Sequence, residues 1–540
     1  MLPQKPQSSS VHPTGEAVSG AENTTVPITI DTFGGKVKIV WDNEAPMTPF
    51  GQMAFFTQFL KTSGLYSPWV VDCPIVYTSP NAPAKTDVLG TALLSVVAGH
   101  WRYAHASAIR CDTVSPGLLG MRKVVSEDSL RRAFLDADPA AAESWQLSYL
   151  RKTYEPLLFE PYIMDLDATV KPLFGKQQGA VVGYNPAKPG RPSHVFHTYF
   201  IANLRLVLDV EVQPGNQTAA CHTQPGLWRF LDSLPRAAWP AFLRGDVAFG
   251  NESMMSSCEE RLLDYLFKLR LTTNARALVK MVSGDERSWI DAGQGWEGKE
   301  SLLKLSGWTR ARRVIVLRRR LAKHRRKPRR NAKADCFLPF FGAVPLAEHY
   351  EYAILVTSRA DPITVLAQFY RDRGDAENNF DELKNQWGWG GFTTHDIART
   401  QIMARITAQV YNWWTIFARM AVPDKHIEGT TSRPLLLHSI GRSTSHGSQS
   451  TIHLTSMHAK RDKVQSVLTS IGAVLRFISA NAEQLAHVGV WRLMLSRAFA
   501  WFLRGRLLKA PPFLEPPPPA ATGQPELPGF MPQLLTMCEG

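Results

Sequence analysis

Strand-like alternation lies between two stretches of helical periodicity along this chain. From about Pro49 to Tyr154 the apolar residues mostly recur at helical spacing. Within this stretch VSEDSLRRAFLDA predicts a capped helix, with Ser126 as its N-cap and Leu130 on the apolar side. Helical spacing returns late in the chain, in ITVLAQFYRDRGDAENNFDELKNQW and in ARTQIMARITAQVYNWWTIFARM.

Between these stretches, six segments have the alternating or continuous apolar patterns that are typical of strands. They are EPYIMDLDATV, HTYFIANLRLVLDVEV, AWPAFLRGDVAFG, ALVKMVSG, RRVIVLRRR and YEYAILVTS. Long polar stretches separate the last three from one another. The order predicts an α/β fold in which a core is interrupted by a mainly β insertion, with helical N-terminal and C-terminal regions.

Composition and charge narrow the class of protein. The chain has 540 residues, and 44% of them are hydrophobic, which excludes a wholly disordered protein. Lys and Arg number 61 against 47 Asp and Glu, so the net charge of +14 favours an anionic partner, most often nucleic acid. The six cysteines have no metal-binding spacing and indicate reduced thiols in a cytoplasmic protein. Four arginines interrupt VWRLMLSRAFAWFLRGRLL, which predicts an amphipathic surface helix and no membrane span.

Much of the positive charge lies in one segment. Between Arg310 and Lys333 there are thirteen Lys and Arg and no acid, so the rest of the chain is close to neutral. The segment is either a solvated basic loop or a phosphate-binding surface. Its first half contains the apolar run Val314 to Leu317, which predicts a strand followed by DNA-binding arginines: Arg318, Arg319 and Arg320.

These patterns predict seven regions. The termini form a disordered tail (1–27) and a Pro-rich tail (511–540), and the helical regions are 28–155, either a DNA-binding module or scaffold, and 426–510. The core occupies 156–275 and 359–425, on either side of a basic β-rich insertion at 276–358.

Acidic residues stand at the ends of two apolar runs. Asp165 and Asp167 lie in YIMDLDATV, where alternation places both on one face, and Asp246 follows the apolar residues of FLRGDVAFG. Burying such acids is costly unless they are paired or bind a cation. Carboxylates that converge from two strands and a helix would suit a pair of Mg²⁺ ions acting on phosphate, although acids also end strands in glycosidases and in plain turns.

A third acid lies in a late segment with an unusual charge pattern. Tyr370, Arg373, Glu377 and Lys384 have offsets of zero, three, seven and fourteen residues. At about 100° per residue these offsets fall within roughly 60° of one another on a helix. We therefore predict one helix with the four side chains on one face, which either is solvated or meets a polyanion and a metal.

These four residues spell Y-(2)-R-(3)-E-(6)-K, and the segment resembles the signature of a large branch of bacterial insertion-sequence DDE transposases. DLDAT resembles the first catalytic strand of that branch, which favours Asp167 over Asp165, and FLRGDVAFG resembles the second, with Asp246. The stretch from Phe174 to His194 resembles the segment that follows the first acid in one sub-branch. The likeness extends from about Tyr162 to Trp414.

The resemblance implies an RNase H-like catalytic core that cleaves the ends of an insertion sequence and transfers the strands into target DNA. Asp167, Asp246 and Glu377 would bind two Mg²⁺ ions, or Mn²⁺, while Tyr370, Arg373 and Lys384 would hold DNA phosphates. The implied partners are double-stranded DNA, as terminal inverted repeats and target, and a second copy in a homodimeric synaptic complex at the nucleoid. The alternatives are a catalytically inactive DNA-binding descendant and a metal-dependent nuclease without transposition.

Overall fold

The computed structural model describes residues 27–509 except 41, 43–45, 187, 322–349, 448, 458–459 and 482–486. The predicted Pro-rich tail, nearly all of the predicted N-terminal tail and the second half of the basic segment lie outside the described residues. Within the described part of the chain, no helix is long and apolar enough to cross a membrane.

The region before the sheet is largely helical, as predicted, but it begins with strands. These are β1 (Ile28–Thr32), β2 (Gly35–Ile39) and the short β3 (Met47–Thr48). Six helices follow: α1 (Met53–Ser63), α2 (Tyr66–Val71), α3 (Lys85–Val97), α4 (Ser115–Leu118), α5 (Glu127–Arg132) and α6 (Pro139–Tyr154). The predicted N-cap of α5 is confirmed, since the Ser126 side chain accepts a hydrogen bond from the Ser129 backbone N–H at 3.2 Å.

Ten of the described strands form one sheet. They are β4 (Ile163–Pro172), β5 (Val181–Val182), β6 (Pro192–Ile201), β7 (Leu206–Pro214), β8 (Phe242–Gly245), β9 (Asp264–Lys268), β10 (Ile290–Gly293), β11 (Trp296–Leu303), β12 (Arg312–Arg320) and β13 (Tyr350–Thr357). Their order is β10-β11-β12-β13-β9-β8-β4-β6-β5, and β7 also pairs with β6. The central strands β4, β8 and β9 are parallel, so their carboxyl ends meet at one edge.

The strands of the predicted insertion do not form a separate sheet. Strand β13 pairs antiparallel with β9, so β10 to β13 extend the sheet that carries the first two acids. Backbone hydrogen bonding explains this arrangement, because an unpaired edge of β9 would leave its donors and acceptors exposed. The predicted insertion is therefore a continuation of the core sheet in hydrogen-bonding terms.

The prediction of a strand at ALVKMVSG is wrong. Three helices lie around the parallel strands, α7 (Ala219–Asp232), α8 (Glu252–Glu260) and α9 (Thr273–Ser283), and this segment belongs to α9. The Thr272 side chain caps α9, and its buried residues recur at helical spacing: Ala275, Leu278, Val279 and Val282. The short apolar run was ambiguous, and the wider window carries the helical period.

The prediction of one helix for the Y-R-E-K segment is also wrong. The chain forms α10 (Ile363–Arg371) and α11 (Gly374–Gln386), with a break at Asp372 and Arg373. The Arg373 N–H donates to the Tyr370 carbonyl at 3.2 Å, which is a tighter turn than that of an α-helix. Glycine follows directly, and it weakens a helix interior by about 1 kcal/mol relative to alanine, so the helix breaks here.

The remaining described elements begin with the long helix α12 (Ile397–Ala421). The others are α13 (Gly429–Leu436), the hairpin β14 (Gly441–His446) and β15 (Gln449–Leu454), α14 (Arg461–Ala480) and α15 (His487–Ala498). Helix α12 contacts β7, α3, α6 and α15, and almost all of its side chains are buried. Asn412 joins it to the sheet by bonding both the N–H and the carbonyl of Val207, at 2.9 and 2.8 Å.

Candidate active site

Two of the predicted acids lie at the point where the parallel pairing of β4 and β8 ends: Asp167 lies within β4, and Asp246 directly follows β8. In the register of β4 and β8, Leu166 is opposite Gly245. Asp167 and Asp246 each follow these residues directly, so they occupy equivalent places on adjacent strands. Such an edge of a parallel sheet is where α/β proteins commonly bind ligands.

The neighbouring acid has a different environment. Asp165 is 1% exposed, and its carboxylate accepts two hydrogen bonds from the Arg244 guanidinium, from Nε at 2.5 Å and from Nη2 at 2.7 Å. Arg244 also donates to the Phe369 carbonyl, which ties β8 to α10. A two-point pair of this kind satisfies both charges inside the protein. Asp165 therefore serves the fold, which supports the choice of Asp167 as the first catalytic acid.

Arg373 connects the Y-R-E-K segment to the acids. Its Nη2 donates to Asp167 Oδ2 at 2.8 Å, and the residue is 4% exposed. Burial by itself lowers the pKa of this guanidinium, but the Asp167 carboxylate raises it, with Asp246 among the further contributors, so the pKa lies above its ordinary value. Arg373 stays positively charged beside both acids.

Lys384 lies near the same carboxylate from α11. Burial lowers the pKa of its ammonium group, while Asp167 acts in the opposite direction. Tyr370, on α10, is 1% exposed and packs in a core cluster with Ile363 and Leu366. Glu377 is part of α11, and its side chain lies outside the described residues. The break between α10 and α11 thus still leaves Arg373 and Lys384 close to Asp167.

The donor set is suited to a divalent cation that prefers oxygen ligands. Asp246 Oδ1 accepts from the Ala248 N–H at 2.9 Å, and Asp167 Oδ1 accepts from the Ala168 N–H at 2.7 Å. Among the side chains that the structure describes, no three of His, Cys, Asp or Glu come together as a metal site. Two strand-end carboxylates are present, and a third ligand would have to come from another residue such as Glu377.

The three arginines of β12 that were predicted to bind DNA do not share one surface. Arg318 is 3% exposed and donates to Glu286 and to Glu297, each at 2.7 Å. Arg319 pairs with Glu351, while Arg320 is exposed. Alternation along a strand places Arg319 on the face opposite to Arg318 and Arg320. Arg318 therefore holds the sheet together, and of the three Arg320 is the one fully presented to solvent.

Lys171 is a positioning residue that the sequence reasoning missed. It lies on β4, four residues after Asp167, and is 6% exposed; its Nζ donates to the Gly391 carbonyl. Burial lowers the pKa of this ammonium group to about 7. Gly391 follows α11, and a Cβ there would be 1.3 Å from the Trp101 carbonyl oxygen, so only glycine fits. A lysine on the same strand as two acids was the available signal.

Comparison with known proteins decides the family. A family model described as Transposase DDE domain group 1 matches residues 84–475, almost three quarters of the chain. The chain belongs to this family. The matched part of this DDE transposase runs from α3 into α14 and contains Asp167, Asp246 and the Y-R-E-K segment.

Two further comparisons add little about the transposase. The search of curated proteins finds no match. Among solved structures, the transposase is similar to a chain in the cryo-EM structure of the piggyBac transposase synaptic complex with hairpin DNA, with 10% identity and a TM-score of 0.34. The likeness covers 85% of this chain and 88% of the other. No residue is carried over at that level of similarity.

Proposed function

We propose that this transposase cleaves DNA at the ends of an insertion sequence and joins the freed 3′ ends to target DNA in an RNase H-like active site. The observation that supports it most is the position of Asp167 and Asp246, which directly follow the last paired residues of the parallel strands β4 and β8, with Arg373 hydrogen-bonded to Asp167. The Y-R-E-K spacing and the family membership agree with this assignment. It implies action in the cytoplasm, at the nucleoid, by two copies on paired DNA ends.

The proposed division of roles follows from position and charge. Asp167, Asp246 and Glu377 would hold Mg²⁺, or Mn²⁺, and two bound ions would activate the attacking oxygen and stabilise the leaving oxygen. Arg373 orients Asp167 through its hydrogen bond, and as a buried cation beside the acids it would contact the reacting phosphate.

The other proposed DNA contacts differ in how accessible they are. Lys384 is partly exposed and would contact a neighbouring phosphate as a point charge. Tyr370 is buried beside Arg373, so its proposed phosphate contact is limited to the innermost part of the site. On β12 the proposed contact with duplex DNA lies mainly with Arg320 and in part with Arg319.

The test is a paired binding and cleavage assay on one labelled duplex that carries the inverted repeat found beside the reading frame. We expect Asp167→Ala, Asp246→Ala and Glu377→Gln to bind this duplex in EDTA and to lose cleavage when Mg²⁺ is added. Lys384→Ala should bind about tenfold more weakly even in EDTA, as expected for one charge-assisted contact. Because binding and cleavage are measured on the same DNA, the assay distinguishes residues that bind metal from residues that bind DNA.

The alternatives predict different outcomes in this assay. Binding by the wild-type chain with no cleavage in Mg²⁺ or Mn²⁺ would indicate an inactive descendant. Cleavage without joining of a pre-cut 3′ end to a supercoiled plasmid would indicate a nuclease that does not transpose. Full cleavage by both Asp167→Ala and Asp246→Ala would show that the proposed active site is wrong.

A further inference from the structure

The hairpin of β14 and β15 has two chemically distinct faces. Its register places Arg442 opposite His453, Thr444 opposite Thr451, and His446 opposite Gln449. Directly opposed residues share a face of a two-stranded ribbon, as do alternate residues along each strand. A hydrogen bond of 2.9 Å between Thr444 Oγ1 and His453 Nε2 agrees with this arrangement. We call this side the polar face: Arg442, Thr444, His446, Gln449, Thr451 and His453.

The opposite side of the hairpin carries short serine side chains towards the turn and apolar ones at the other end. The serines are Ser443, Ser445 and Ser450, and the apolar residues are Ile452 and Leu454. All six residues of the polar face are exposed. Among the described residues, β14 pairs with β3 through Gly441 and Arg442, and the Ser443 N–H donates to the Pro46 carbonyl at 2.9 Å. The other residues of the two strands form a two-stranded ribbon in the described part of the chain. Such a ribbon gains stability from a bound partner, because an isolated hairpin is marginally stable in water.

The charge around the hairpin favours a polyanion. The sequence has no Asp or Glu between Glu428 and Asp462. Arg442 lies on the polar face, and Lys460 and Arg461 follow the hairpin in the chain. The exposed hairpin within this acid-free stretch favours nucleic acid, and its neutral hydrogen-bonding groups provide donors and acceptors for contacts that are more selective than a phosphate contact.

We propose that this hairpin enters the major groove of double-stranded DNA and recognises base edges with its polar face. The major groove is about 12 Å wide and admits a two-stranded β-ribbon. Arginine pairs with guanine through two hydrogen bonds, glutamine pairs with adenine in the same way, and threonine bonds to either. The short serine side chains towards the turn on the other face let the ribbon lie flat in the groove. This contact rests on the proposed action on DNA, but it involves none of the catalytic acids.

The test compares two double variants of the full-length chain. Arg442→Ala/Gln449→Ala alters the polar face, and Ser445→Ala/Ser450→Ala is the matched control on the other face. All four residues are exposed, so the variants should have wild-type melting temperatures. Each protein is used in EDTA to select from a labelled duplex library with a randomised centre, and the bound sequences are then compared.

We expect the wild-type chain and the serine variant to select the same motif. The polar-face variant should lose preference at two or three base pairs and bind the wild-type motif at least about tenfold more weakly, because each two-point base contact is lost. On scrambled duplex the slope of log K against log salt should fall by no more than about 0.9, since the variant removes one positive charge.

Other results would overturn the inference. Identical motifs from the two double variants would do so, as would a wild-type chain that selects no motif. A polar-face variant that changes the sedimentation of the chain and leaves DNA selection intact would show that the hairpin contacts a second copy instead. The selections need no metal, so a chain that never cleaves still tests the hairpin. If the polar-face variant selects the wild-type motif and the wild-type chain cleaves DNA, the proposed role of the hairpin is wrong and the proposed function stands.

Discussion

Asp165 and Asp167 lie two residues apart on β4, yet their surroundings separate stability from chemistry. Asp165 and Arg244 are both buried, with side chains 1% and 2% exposed. Two hydrogen bonds join their side chains, so each charge has a partner of opposite sign. Asp167 is more open, with its side chain 16% exposed, and it accepts a hydrogen bond from Arg373. Alternation along the strand predicted that both acids share a face, and their different partners agree with a structural role for Asp165 and the proposed catalytic role for Asp167.

We predict that Asp165→Ala destabilises the protein more than Asp167→Ala does. Removing one partner of a buried ion pair costs about 3–5 kcal/mol, because the remaining charge is left unpaired. The measurement is urea unfolding of both variants beside the wild type. Asp167→Ala should stay folded and lose cleavage. If the two variants lose equal stability, the Arg244 pair is not the structural contact that its geometry indicates.

At the scale of elements, Arg312 at the start of β12 joins the sheet to α8. It donates to Glu252 at 2.5 Å and to Glu259 at 2.7 Å. Burial works to raise the pKa of each carboxyl, but hydrogen bonds outweigh it and lower both pKa values to about 2. Arg312 makes the largest lowering contribution to each, with further hydrogen bonds from Thr309 to Glu252 and from Arg310 to Glu259. These carboxyl groups are therefore more acidic in the folded chain than in the unfolded one, where the pKa is about 4.3.

This difference predicts a pH dependence of stability. A lowered folded-state pKa stabilises the protein above the unfolded pKa, and the stabilisation is lost as pH falls from about 4.3 towards 2. In Arg312→Met both carboxyl groups should return towards their ordinary pKa, so stability should fall less steeply over that range. Urea unfolding at a series of pH values measures the slope. An unchanged slope in Arg312→Met would show that Arg312 does not hold these carboxylates.

The exposed end of β12 supports a different prediction. Arg320→Ala should reduce the slope of log K against log salt for duplex DNA by about 0.9, with no change in stability. Arg318→Ala is the matched control, because it removes the ion pairs with Glu286 and Glu297, lowers stability and leaves the slope unchanged. Titration of a labelled duplex from low to moderate salt measures both. A slope change for Arg318 alone would mean that the buried arginine is the one that meets DNA.

At the scale of the whole molecule, one hydrophobic cluster extends from Phe50 to Leu508 through both helical regions and the sheet. Trp69 of α2 packs edge-on against Trp413 of α12, with ring centroids 5.4 Å apart. Gln146 of α6 donates to the Ile402 carbonyl of α12 at 2.7 Å. The helices before the sheet are thus part of the packing around α12, which favours scaffold for them over a separate module.

We predict that the fragment 156–425, which spans the proposed core and insertion, does not fold independently. Without α1–α6, α14 and α15 it would expose large apolar areas of α12, and each Å² of apolar surface left in water costs about 25 cal/mol. The fragment should aggregate or lack a cooperative thermal transition in circular dichroism. A chain trimmed to residues 27–509 is the control and should melt like the full chain. A monomeric fragment with a sharp transition would show an independent core.

The sequence by itself determined the candidate chemistry and most of the elements. The Y-R-E-K spacing, the acids at the ends of apolar runs and the capped helix at Ser126 are local patterns, so they can be recognised without knowing the fold. The helical period of α9 was also present in the sequence and became visible only in a wider window, since a short apolar run fits a strand equally well.

Only the tertiary structure decided which charged residues pair with one another. Asp165 is paired with an arginine 79 positions away, Arg373 with an acid 206 positions away, and Arg318 with glutamates on separate segments. Likewise, the joining of β13 to β9 makes the predicted insertion part of the core sheet. Such pairings depend on which strands and helices become neighbours, and a residue's own sequence surroundings carry no record of them.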